Sequence, residues 1–591
     1  MMHISDDGHR LLTGDAPPKD LYDITQIKAV ELWFDTADWW EDLYGGQEIT
    51  ATMAYDGDTL FEKIGVRFKG HSSSHPEIKK SFNLNLNFID STQELHSYST
   101  MNLNNGHQDP SFMREAIYEN TIQNYIPGLA VNWVTLYLNG EYWGIYTNVE
   151  QPNKDFYKRW FLSNDGTNWR AAYIGDALNY ISDDPDDYGS HYYLKSTEKE
   201  DPYEDLLKAI EILNDTTIVE FEDSIRKYFD LDRVLWFHAC ENLFTDKDSY
   251  VLKGGMDYFI YWDNETGRIT PIEYDGNSCM IDSTYDIPVF KNDTNPDFPL
   301  ISNILTVPSF RQRYLAHVRT ILTESLNADY LFPLIDYYDS LIDSIVQYDP
   351  KKIFSYAQYL NELEVLKTYI NARNSFCFEN AELNFPVPDI VESWWVVNET
   401  VWLNPFANKA VSIRTEISDD PGIYQVNLFY ATGIVGNFIK MTMYDDGLHN
   451  DELANDGKYG GEIPGYGEGT DVRFYVEAIA DDSAQTISYD PPGAEHDVYY
   501  YKVGEEIEEV STEEIYAETN FVVFPNPANS YVTILINDAG EYFTEIYTVS
   551  GNKIFSTTLT GTKTIDITHL QSGVYFLKIG EEIKKLIVLH D

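Results

Sequence analysis

The stretch "WVTLYLNGEYWGIYTNVE" (residues 133–150) contains two apolar runs that meet at Asn139 and Gly140. An Asn-Gly pair between alternating apolar residues is the strongest short-range signal for a hairpin with a two-residue turn. The stretch therefore predicts two antiparallel strands, with Glu150 at the end of the second strand.

A second hairpin is predicted in "DYFIYWDNETGRITPIEYDGN" (residues 257–277), which turns between Asn264 and Gly267. Its second strand runs into Asp275, a glycine and Asn277. A carboxylate at a strand end before glycine is often only a turn. It is also a common way to present a carboxylate to a metal ion. The sequence leaves both readings open at this point.

Strands and helices alternate around these hairpins. "SFNLNLNF" alternates as a half-buried strand, and "VLWFHACENLF" has the apolar content of a buried helix. From "NFPVPDIVESWW" onward the chain is rich in strand and glycine-turn signals. We therefore expect a multidomain chain, in which an α+β N-terminal domain is followed by two β-sandwich domains. The expected boundaries are residues 1–384, 385–505, an acidic linker at 506–519, and 520–591.

Composition limits the classes of function. The 591 residues carry a net charge of −56, and such a surface repels nucleic acid, which binds clustered Lys and Arg. No apolar run is long enough for a transmembrane segment, and the first residues lack the apolar core of a signal peptide. The 3 cysteines do not form a disulfide scaffold or a zinc motif.

A basic segment stands out in this acidic chain. Glycine lets backbone N–H groups approach an anion, serine hydroxyls add donors, and lysine supplies a point charge for phosphate. The spacing of a Walker loop is absent, and a solvated turn before a strand explains the same residues. The candidate anion ligands are Arg67, Lys69, Ser72, Ser73, Lys79 and Lys80.

Acidic residues follow at several later positions. Carboxylates grouped with an amide make a hard oxygen site for Mg²⁺ or Mn²⁺. The alternative interpretation is that each of these residues is an ordinary carboxylate in a turn. Glu150 either orients a phosphate-binding lysine or is an ordinary surface acid. The candidate residues of this second group are Asp246, Asp248, Asp257, Asp275 and Asn277.

In order along the chain come R-x-K-G-x-S-S, K-K-S-F-N-L, D-P-S-x-x-R, N-G-E-Y-W-G-I-Y and T-G-R-I-T-P-I-E-Y-D-G-N. This order resembles the CotH kinase family of atypical protein kinases, over roughly residues 28–375. The resemblance implies a kinase-like fold that uses ATP and Mg²⁺ or Mn²⁺. It implies a phosphate loop that contains Arg67, Lys69, Lys79 and Lys80.

The same resemblance implies further roles. Glu150 would pair with a lysine of the phosphate loop, Asp248 would be the catalytic aspartate, and Asp275 would bind the metal. Many members of the family have the sequence W-D-x-D at the position of Tyr274 to Asn277, so this chain has Asn277 in place of the second acid. Members often carry His-Asn where this chain has Met256 and Asp257.

The last domain has a resemblance of its own. "FPNPANSYVTI", "YTVSGNKIF" and "QSGVYFLKI" are similar to the type A C-terminal sorting domain of the type IX secretion system. This resemblance implies export across the outer membrane of a Bacteroidetes-type bacterium, to the medium or the cell surface, with the secretion machinery as a partner. It also leads us to expect a trimmed or misassigned start, because no signal peptide is present. A small generic β-module is the alternative.

Acids and amides also cluster in "DDGLHNDELANDG" (residues 445–457) of the second domain. The spacing does not match an EF-hand, and a polar turn is the alternative to a Ca²⁺ site. The candidate calcium ligands are Asp445, Asp446, Asp451 and Asp456.

Two functions follow from the sequence. In the first, the protein is an exported kinase-like enzyme that transfers phosphate from ATP to a hydroxyl of a protein substrate. In the second, the kinase-like fold is a non-catalytic scaffold of a secreted or surface protein, and the β-sandwich binds carbohydrate or calcium. Fold alone does not distinguish between them.

Overall fold

The chain opens with a short antiparallel hairpin, β1 (Met2–Ile4) and β2 (Arg10–Thr13). The computed structural model describes residues 2–13, 21–70, 76–171, 173–398, 400–418, 422–505, 521–536, 540–548, 551–580 and 582–590. The chain divides into two compact units, Met1–Glu506 and Ile507–Asp591.

A closed barrel follows the hairpin, and we call it the barrel lobe. Its strands are connected in the order β3-β4-β5-β6-β7-β9-β8, and parallel pairing of β3 with β8 closes it. The predicted hairpin at Asn139 and Gly140 is confirmed as the last two strands. The elements are β3 (Lys28–Phe34), α1 (Trp39–Tyr44), β4 (Ile49–Tyr55), β5 (Thr59–Phe68), β6 (Phe82–Asn85), β7 (Thr100–Asn104), α2 (Arg114–Ile122), β8 (Val131–Leu138) and β9 (Glu141–Val149).

The next segment combines helices with one four-stranded sheet, and we call it the helical lobe. The sheet has the order β11-β10-β12-β13. The second hairpin predicted from the sequence is confirmed as β12 and β13. Every residue of α6 is buried, as its apolar sequence predicted. The elements are α3 (Lys154–Trp160), β10 (Thr167–Ala171), β11 (Tyr192–Ser196), α4 (Glu204–Asn214), α5 (Phe221–Tyr228), α6 (Leu231–Phe244), β12 (Tyr258–Asp263), β13 (Arg268–Ile272), α7 (Pro299–Ser302), α8 (Pro308–Glu324), α9 (Ala328–Tyr348) and α10 (Tyr356–Phe378).

Strands β14 to β22 form two sheets that share one apolar core, and we call this part the middle β-domain. One sheet is β15-β14-β16-β19, and the other contains β22-β20-β17-β18 with β21 paired to β20. The elements are β14 (Asp389–Val397), β15 (Thr400–Val401), β16 (Val411–Ser418), β17 (Ile423–Thr432), β18 (Ile439–Met443), β19 (Lys458–Ile463), β20 (Asp471–Ala480), β21 (Ile487–Asp490) and β22 (Asp497–Lys502).

The N-terminal hairpin packs with a different domain from the one expected for it. Residues 1–384 were expected to form one domain, but β2 pairs with β22 and extends a sheet of the middle β-domain. The His9 ring stacks on Trp402 with 4.7 Å between the ring centroids, and Arg10 forms an ion pair with Asp497. Pairing with an existing sheet edge stabilises a hairpin that is too small to be stable by itself.

The second unit contains a C-terminal β-domain with its own core. Its two sheets are β23-β24-β27 and β26-β25-β28-β29. The expected order, a mixed α/β region followed by β-sheet domains, is confirmed, whereas the predicted linker at 506–519 lies outside the described residues. The strands are β23 (Phe521–Phe524), β24 (Tyr531–Ile536), β25 (Glu541–Thr548), β26 (Lys553–Thr560), β27 (Lys563–Asp566), β28 (Gly573–Ile579) and β29 (Glu582–Val588).

A candidate active-site cleft between the barrel lobe and the helical lobe

A cleft of about 1170 Å³ separates the barrel lobe from the helical lobe. One wall comes from β5, β7 and the start of α2, and the other comes from β10, β11 and the segments that follow α6 and β13. The cleft brings together six of the predicted residues from four separate stretches of chain, which are Arg67, Lys69, Asp248, Asp257, Asp275 and Asn277.

Lys69 reaches the cleft from the end of β5. Its Nζ donates to Asn104 Oδ1 at 2.9 Å and lies 5.4 Å from the centre of the Tyr274 ring. The amide nitrogen of Asn104 donates to both carboxylate oxygens of Glu115, at 2.9 and 2.8 Å. Asn104 therefore joins a lysine of the barrel to a glutamate in the first turn of α2.

The charges of this chain of contacts depend on one another. Burial lowers the pKa of Lys69, but the neighbouring groups of Tyr274 and Asp275 outweigh burial and raise it above its ordinary value. Burial raises the pKa of Glu115 to about 7, against the opposing effect of Lys69. Lys69 therefore stays positively charged and can bind an anion in the cleft.

Two acids on the opposite wall share one lysine. Lys253 Nζ lies 2.7 Å from Asp248 Oδ1 and 2.9 Å from Asp257 Oδ2. Asp257 also accepts a hydrogen bond from Arg170 at 3.1 Å. Asp257 was predicted as a metal ligand, but its carboxylate is already paired with two cations. Among the described residues, the second oxygen of Asp248 contacts a serine hydroxyl and no cation.

That hydroxyl belongs to Ser278, which connects Asp248 to the predicted metal ligands. Ser278 Oγ lies 2.9 Å from Asp248 Oδ2 and 3.0 Å from Asn277 Oδ1. The Asn277 amide in turn donates to Asp275 Oδ1 at 3.0 Å. Three predicted residues therefore lie in one hydrogen-bonded row along the floor of the cleft.

The backbone explains why glycine follows Asp275. Asp275 has a φ of +73°, a left-handed conformation that Asp tolerates better than most residues. At Gly276 an added Cβ would lie 2.3 Å from the Tyr118 ring. The tight turn packs against α2, so the strand end presents Asp275 and Asn277 to the cleft.

The predicted partner of Glu150 is wrong. Glu150 Oε2 accepts hydrogen bonds from Arg159 at 2.5 Å and from the Ala130 N–H at 3.0 Å. Arg159 lies on α3, which follows the strand that ends next to Glu150. Arg159, and not a lysine of the basic segment, therefore forms the ion pair with the buried carboxylate.

Lys79 and Lys80 were expected in the phosphate loop. Lys79 is instead buried and paired with Asp349, with 2.6 Å between Nζ and Oδ2. Lys80 is also buried, and its Nζ lies 5.2 Å from the centre of the Tyr44 ring. Over the part of the chain that the structure describes, the cleft lining includes neither lysine nor Glu150. Ser72 and Ser73 lie outside the described residues.

Asn104, Glu115, Arg170, Lys195 and Lys253 line the cleft but were missed by sequence reasoning. Of these five residues, Glu115 alone lies next to a quoted motif, because it directly follows the arginine of D-P-S-x-x-R. Arg170 and Lys195 lie on strands, and Lys253 lies in the short helical turn Tyr250–Gly254 that precedes β12. Nothing in the sequence separates such residues from an ordinary solvated surface.

The acidic loop of the middle β-domain uses its carboxylates to fold itself. Asp445 accepts from the backbone of Asn455 at 2.5 Å and Gly457 at 3.0 Å. Asp451 accepts from Gly447 at 2.6 Å and His449 at 3.0 Å. Asp446 contacts the His449 ring at 2.9 Å, and Asp456 accepts from the Lys458 N–H at 3.1 Å. Calcium binding here stays a prediction.

Among the described residues, no group of three or more His, Cys, Asp or Glu side chains has an arrangement that could hold a metal ion. This finding does not address an amide ligand such as Asn277. The candidate metal position in the cleft therefore depends on one carboxylate and one amide, Asp275 and Asn277, with Asp248 next to them.

These elements define a two-lobed α/β protein with a charged cleft, which is followed by β-sheet domains. The model of the family described as CotH kinase protein matches residues 66–377, which is more than half of the 591 residues. The chain therefore belongs to the CotH kinase protein family. The match includes Lys69, Asp248 and Asp275.

A second family model, described as a secretion system C-terminal sorting domain, matches residues 522–589. This match implies that the protein is exported, and it indicates the secretion machinery as a partner. A comparison with curated proteins gives no match. None of the helices within the described ranges combines the length and apolar character of a membrane span.

Proposed function

We propose that this CotH-family protein is an exported phosphotransferase that moves a phosphoryl group from ATP to a protein hydroxyl with the help of Mg²⁺ or Mn²⁺. The observation that carries the proposal is the cleft itself. It places Arg67 and Lys69 of the barrel lobe opposite Asp248, Asp275 and Asn277 of the helical lobe. Phosphoryl transfer requires positioning and charge neutralisation more than covalent chemistry by the protein.

In this proposal Lys69 binds the nucleotide phosphates. A lysine that is oriented by a glutamate on a helix is the arrangement that protein kinases use for this task. Here the link runs through Asn104, which contacts both Lys69 and Glu115. Arg67, two residues before Lys69, adds a second cation to the cleft lining.

Asp275 and Asn277 would hold the divalent ion. Their carboxylate and amide oxygens are the hard donors that Mg²⁺ and Mn²⁺ prefer, so the residues present fit the ion. When bound, such an ion neutralises phosphate charge and orients the nucleotide. The amide brings no charge of its own, so Asp275 supplies the only full negative charge of this pair.

Asp248 is the candidate catalytic residue. Its Oδ2 faces Ser278, beside the proposed metal ligands, and can accept the proton of an acceptor hydroxyl. Lys253 contacts Oδ1 at 2.7 Å and fixes the orientation of the carboxylate. In this role Asp248 orients the attacking oxygen as the hydroxyl proton is removed.

For the C-terminal β-domain we propose a type A signal of the type IX secretion system, which would place the mature protein outside a Bacteroidetes-type cell. The motifs "FPNP" and "SGVYFLKI" in their order support this assignment. The proposed acceptor is accordingly an extracellular or surface protein.

One observation favours a second candidate, a non-catalytic scaffold. Lys253 pairs with both Asp248 and Asp257, so protein cations already neutralise two acids of the cleft. Such a cleft could bind a nucleotide without metal and without turnover. The middle β-domain would then bind carbohydrate or calcium through its exposed loops.

Nucleotide binding by the full chain, measured by calorimetry with and without Mg²⁺ or Mn²⁺, separates the two functions. We expect Asp275→Ala to lower metal-dependent affinity for ATP by about tenfold or more, because the charged ligand of the ion is lost. Asp282→Ala, which removes a nearby exposed acid outside the cleft lining, is the matched control and should bind as the wild type does. Metal-independent ATP binding that both variants retain would contradict the phosphotransferase and support the scaffold.

A further inference from the structure

We infer that Arg67, Arg170 and Lys195 form a second anion-binding subsite in the cleft, which takes the oxygens of a phosphate chain between the two lobes. The inference rests on the proposed function, because it adds a binding position for phosphate within the same cleft. Arg170 and Lys195 belong to no motif of the sequence, and their role follows from where the fold places them.

The three cations come from three strands of two lobes. Arg67 lies near the end of β5 in the barrel lobe, whereas Arg170 and Lys195 lie on the neighbouring strands β10 and β11 of the helical lobe. All three side chains line the cleft. A ligand that contacts all three therefore contacts both walls.

Lys195 lies at a β-bulge on this wall. Strand β11 pairs Ser196 with Asn168 and Leu194 with Trp169, so Lys195 is the extra residue between two successive pairs. Bulges re-aim a side chain and are frequent beside functional sites. At this bulge both Lys195 and Ser196 line the cleft, next to Arg170 on the neighbouring strand.

The surroundings leave two of these cations without a counterion. No carboxylate in the described ranges forms an ion pair with Arg67 or Lys195. Burial lowers the pKa of Lys195, and the like charges of Arg170 and Arg67 lower it further. Asp257 forms an ion pair with Arg170 at 3.1 Å, and the same carboxylate lies 2.9 Å from Lys253.

This group of three cations lies in a strongly acidic chain, which has 97 Asp and Glu against 41 Lys and Arg. Mutual repulsion of like charges in a partly enclosed cleft costs free energy that an anionic ligand would recover. The cluster is therefore arranged for a ligand with several negative charges.

The fixed position of Arg170 indicates the chemistry of the ligand. Its guanidinium lies 4.9 Å from the centre of the Tyr274 ring and 5.8 Å from that of Phe259, and Asp257 holds one nitrogen. A planar guanidinium held in place binds two phosphate oxygens at once, and lysine adds a point charge beside it. The shared ligand chemistry is a phosphate chain, either the terminal phosphates of a nucleoside triphosphate or a separate polyphosphate.

Calorimetry on the full chain tests the subsite with three probes, namely ATP, AMP and inorganic tripolyphosphate, each with Mg²⁺. The variants are Arg67→Gln and Lys195→Gln, whose side chains are exposed enough for folding to be retained, as a thermal melt will check. Lys158→Gln removes the same charge from an exposed helix position outside the cleft lining and is the matched control.

We expect both cleft variants to bind tripolyphosphate about tenfold more weakly, because each loses a charge-assisted contact, while AMP affinity stays unchanged. A parallel loss for ATP identifies the nucleotide phosphates as the occupant. Unchanged ATP affinity identifies a separate polyphosphate. Both results support the subsite.

Unchanged affinity for ATP and tripolyphosphate in both variants overturns the inference, as does an equal loss in Lys158→Gln, which indicates a bulk charge effect. If Asp275→Ala still loses metal-dependent ATP binding in that case, the proposed function stands without the subsite. Tripolyphosphate binding that depends on Lys195 in a protein that does not bind nucleotide supports the subsite and contradicts the proposed function.

Discussion

Asp248 and Asp257 hold the same lysine, yet we expect them to differ in function. Asp248→Asn keeps the shape of the side chain and removes its ability to take a proton. If Asp248 orients and deprotonates the acceptor hydroxyl, turnover should fall about 100-fold or more while nucleotide affinity changes little. Phosphate transfer to a surrogate protein substrate, together with ATP titrations, measures the two effects separately.

The matched control for this prediction is Asp257→Asn, which also removes one carboxylate from Lys253. If release of Lys253 caused the loss, both variants would lose turnover equally. A collapse of nucleotide affinity in Asp248→Asn, together with loss of the metal, would make Asp248 a ligand rather than the base.

At the scale of single residues, the sequence located the two walls of the cleft but not their contacts. Lys69, Asp248 and Asp275 were predicted from motifs whose order is local and specific. The pairing of Glu150 with Lys79 or Lys80 was wrong, because Arg159 is the cation that the fold brings to Glu150. Choosing among several cations for one buried acid requires distances that spacing along the chain does not provide.

At the scale of elements, one buried ion pair fastens the end of α9 to the barrel. Asp349, directly after α9, accepts from Lys79 Nζ at 2.6 Å and from the Ile145 N–H at 3.0 Å. Gly144 makes this approach possible, because an added Cβ there would lie 2.0 Å from the carboxylate. Burial lowers the pKa of Lys79 to about 8, so desolvation outweighs the attraction to Asp349.

We therefore expect Lys79→Met to lower the free energy of unfolding by about 3–5 kcal/mol, because it leaves a buried carboxylate without its cation. The double variant Lys79→Met, Asp349→Asn removes both charges and should regain much of this loss. Urea denaturation of the two variants measures the difference. A single variant that costs less than about 1 kcal/mol would show that water or another group replaces the lysine.

Elements with local signals were predicted more accurately than elements whose position depends on distant contacts. Both hairpins were found from their turn residues. Helix α2 begins at Arg114 and not at the D-P-S motif, because Asp109 accepts the backbone N–H groups of Ser111 and Arg114 and folds the turn before the helix. The pairing of β2 with β22 has no local signal, since its partner strand lies at the far end of the first unit.

At the scale of the whole molecule, the middle β-domain belongs to the first unit. Arg313 of α8 donates to the hydroxyls of Tyr475 and Tyr489 at 2.8 and 3.0 Å, and to Glu495 at 2.7 Å. A buried arginine with three partners on another domain is costly to separate from them. These contacts fix the middle β-domain to the helical lobe, so we expect the two to fold and unfold together.

The C-terminal β-domain behaves differently, because it has a hydrophobic core made of its own residues. Val532, Ile546 and Leu577 are fully buried within residues 521–588, and the second unit begins at Ile507. Deletion of residues 520–591 should therefore change the melting temperature of the remaining protein by less than about 2 °C and leave nucleotide binding unchanged. In a host with the matching secretion system, the truncated protein should stay inside the cell, because the sorting domain is the only part that the machinery is expected to recognise. Cell fractionation and calorimetry check the two outcomes separately. A truncated protein that unfolds would make the domain a structural part of the whole, and one that is exported normally would contradict the sorting assignment.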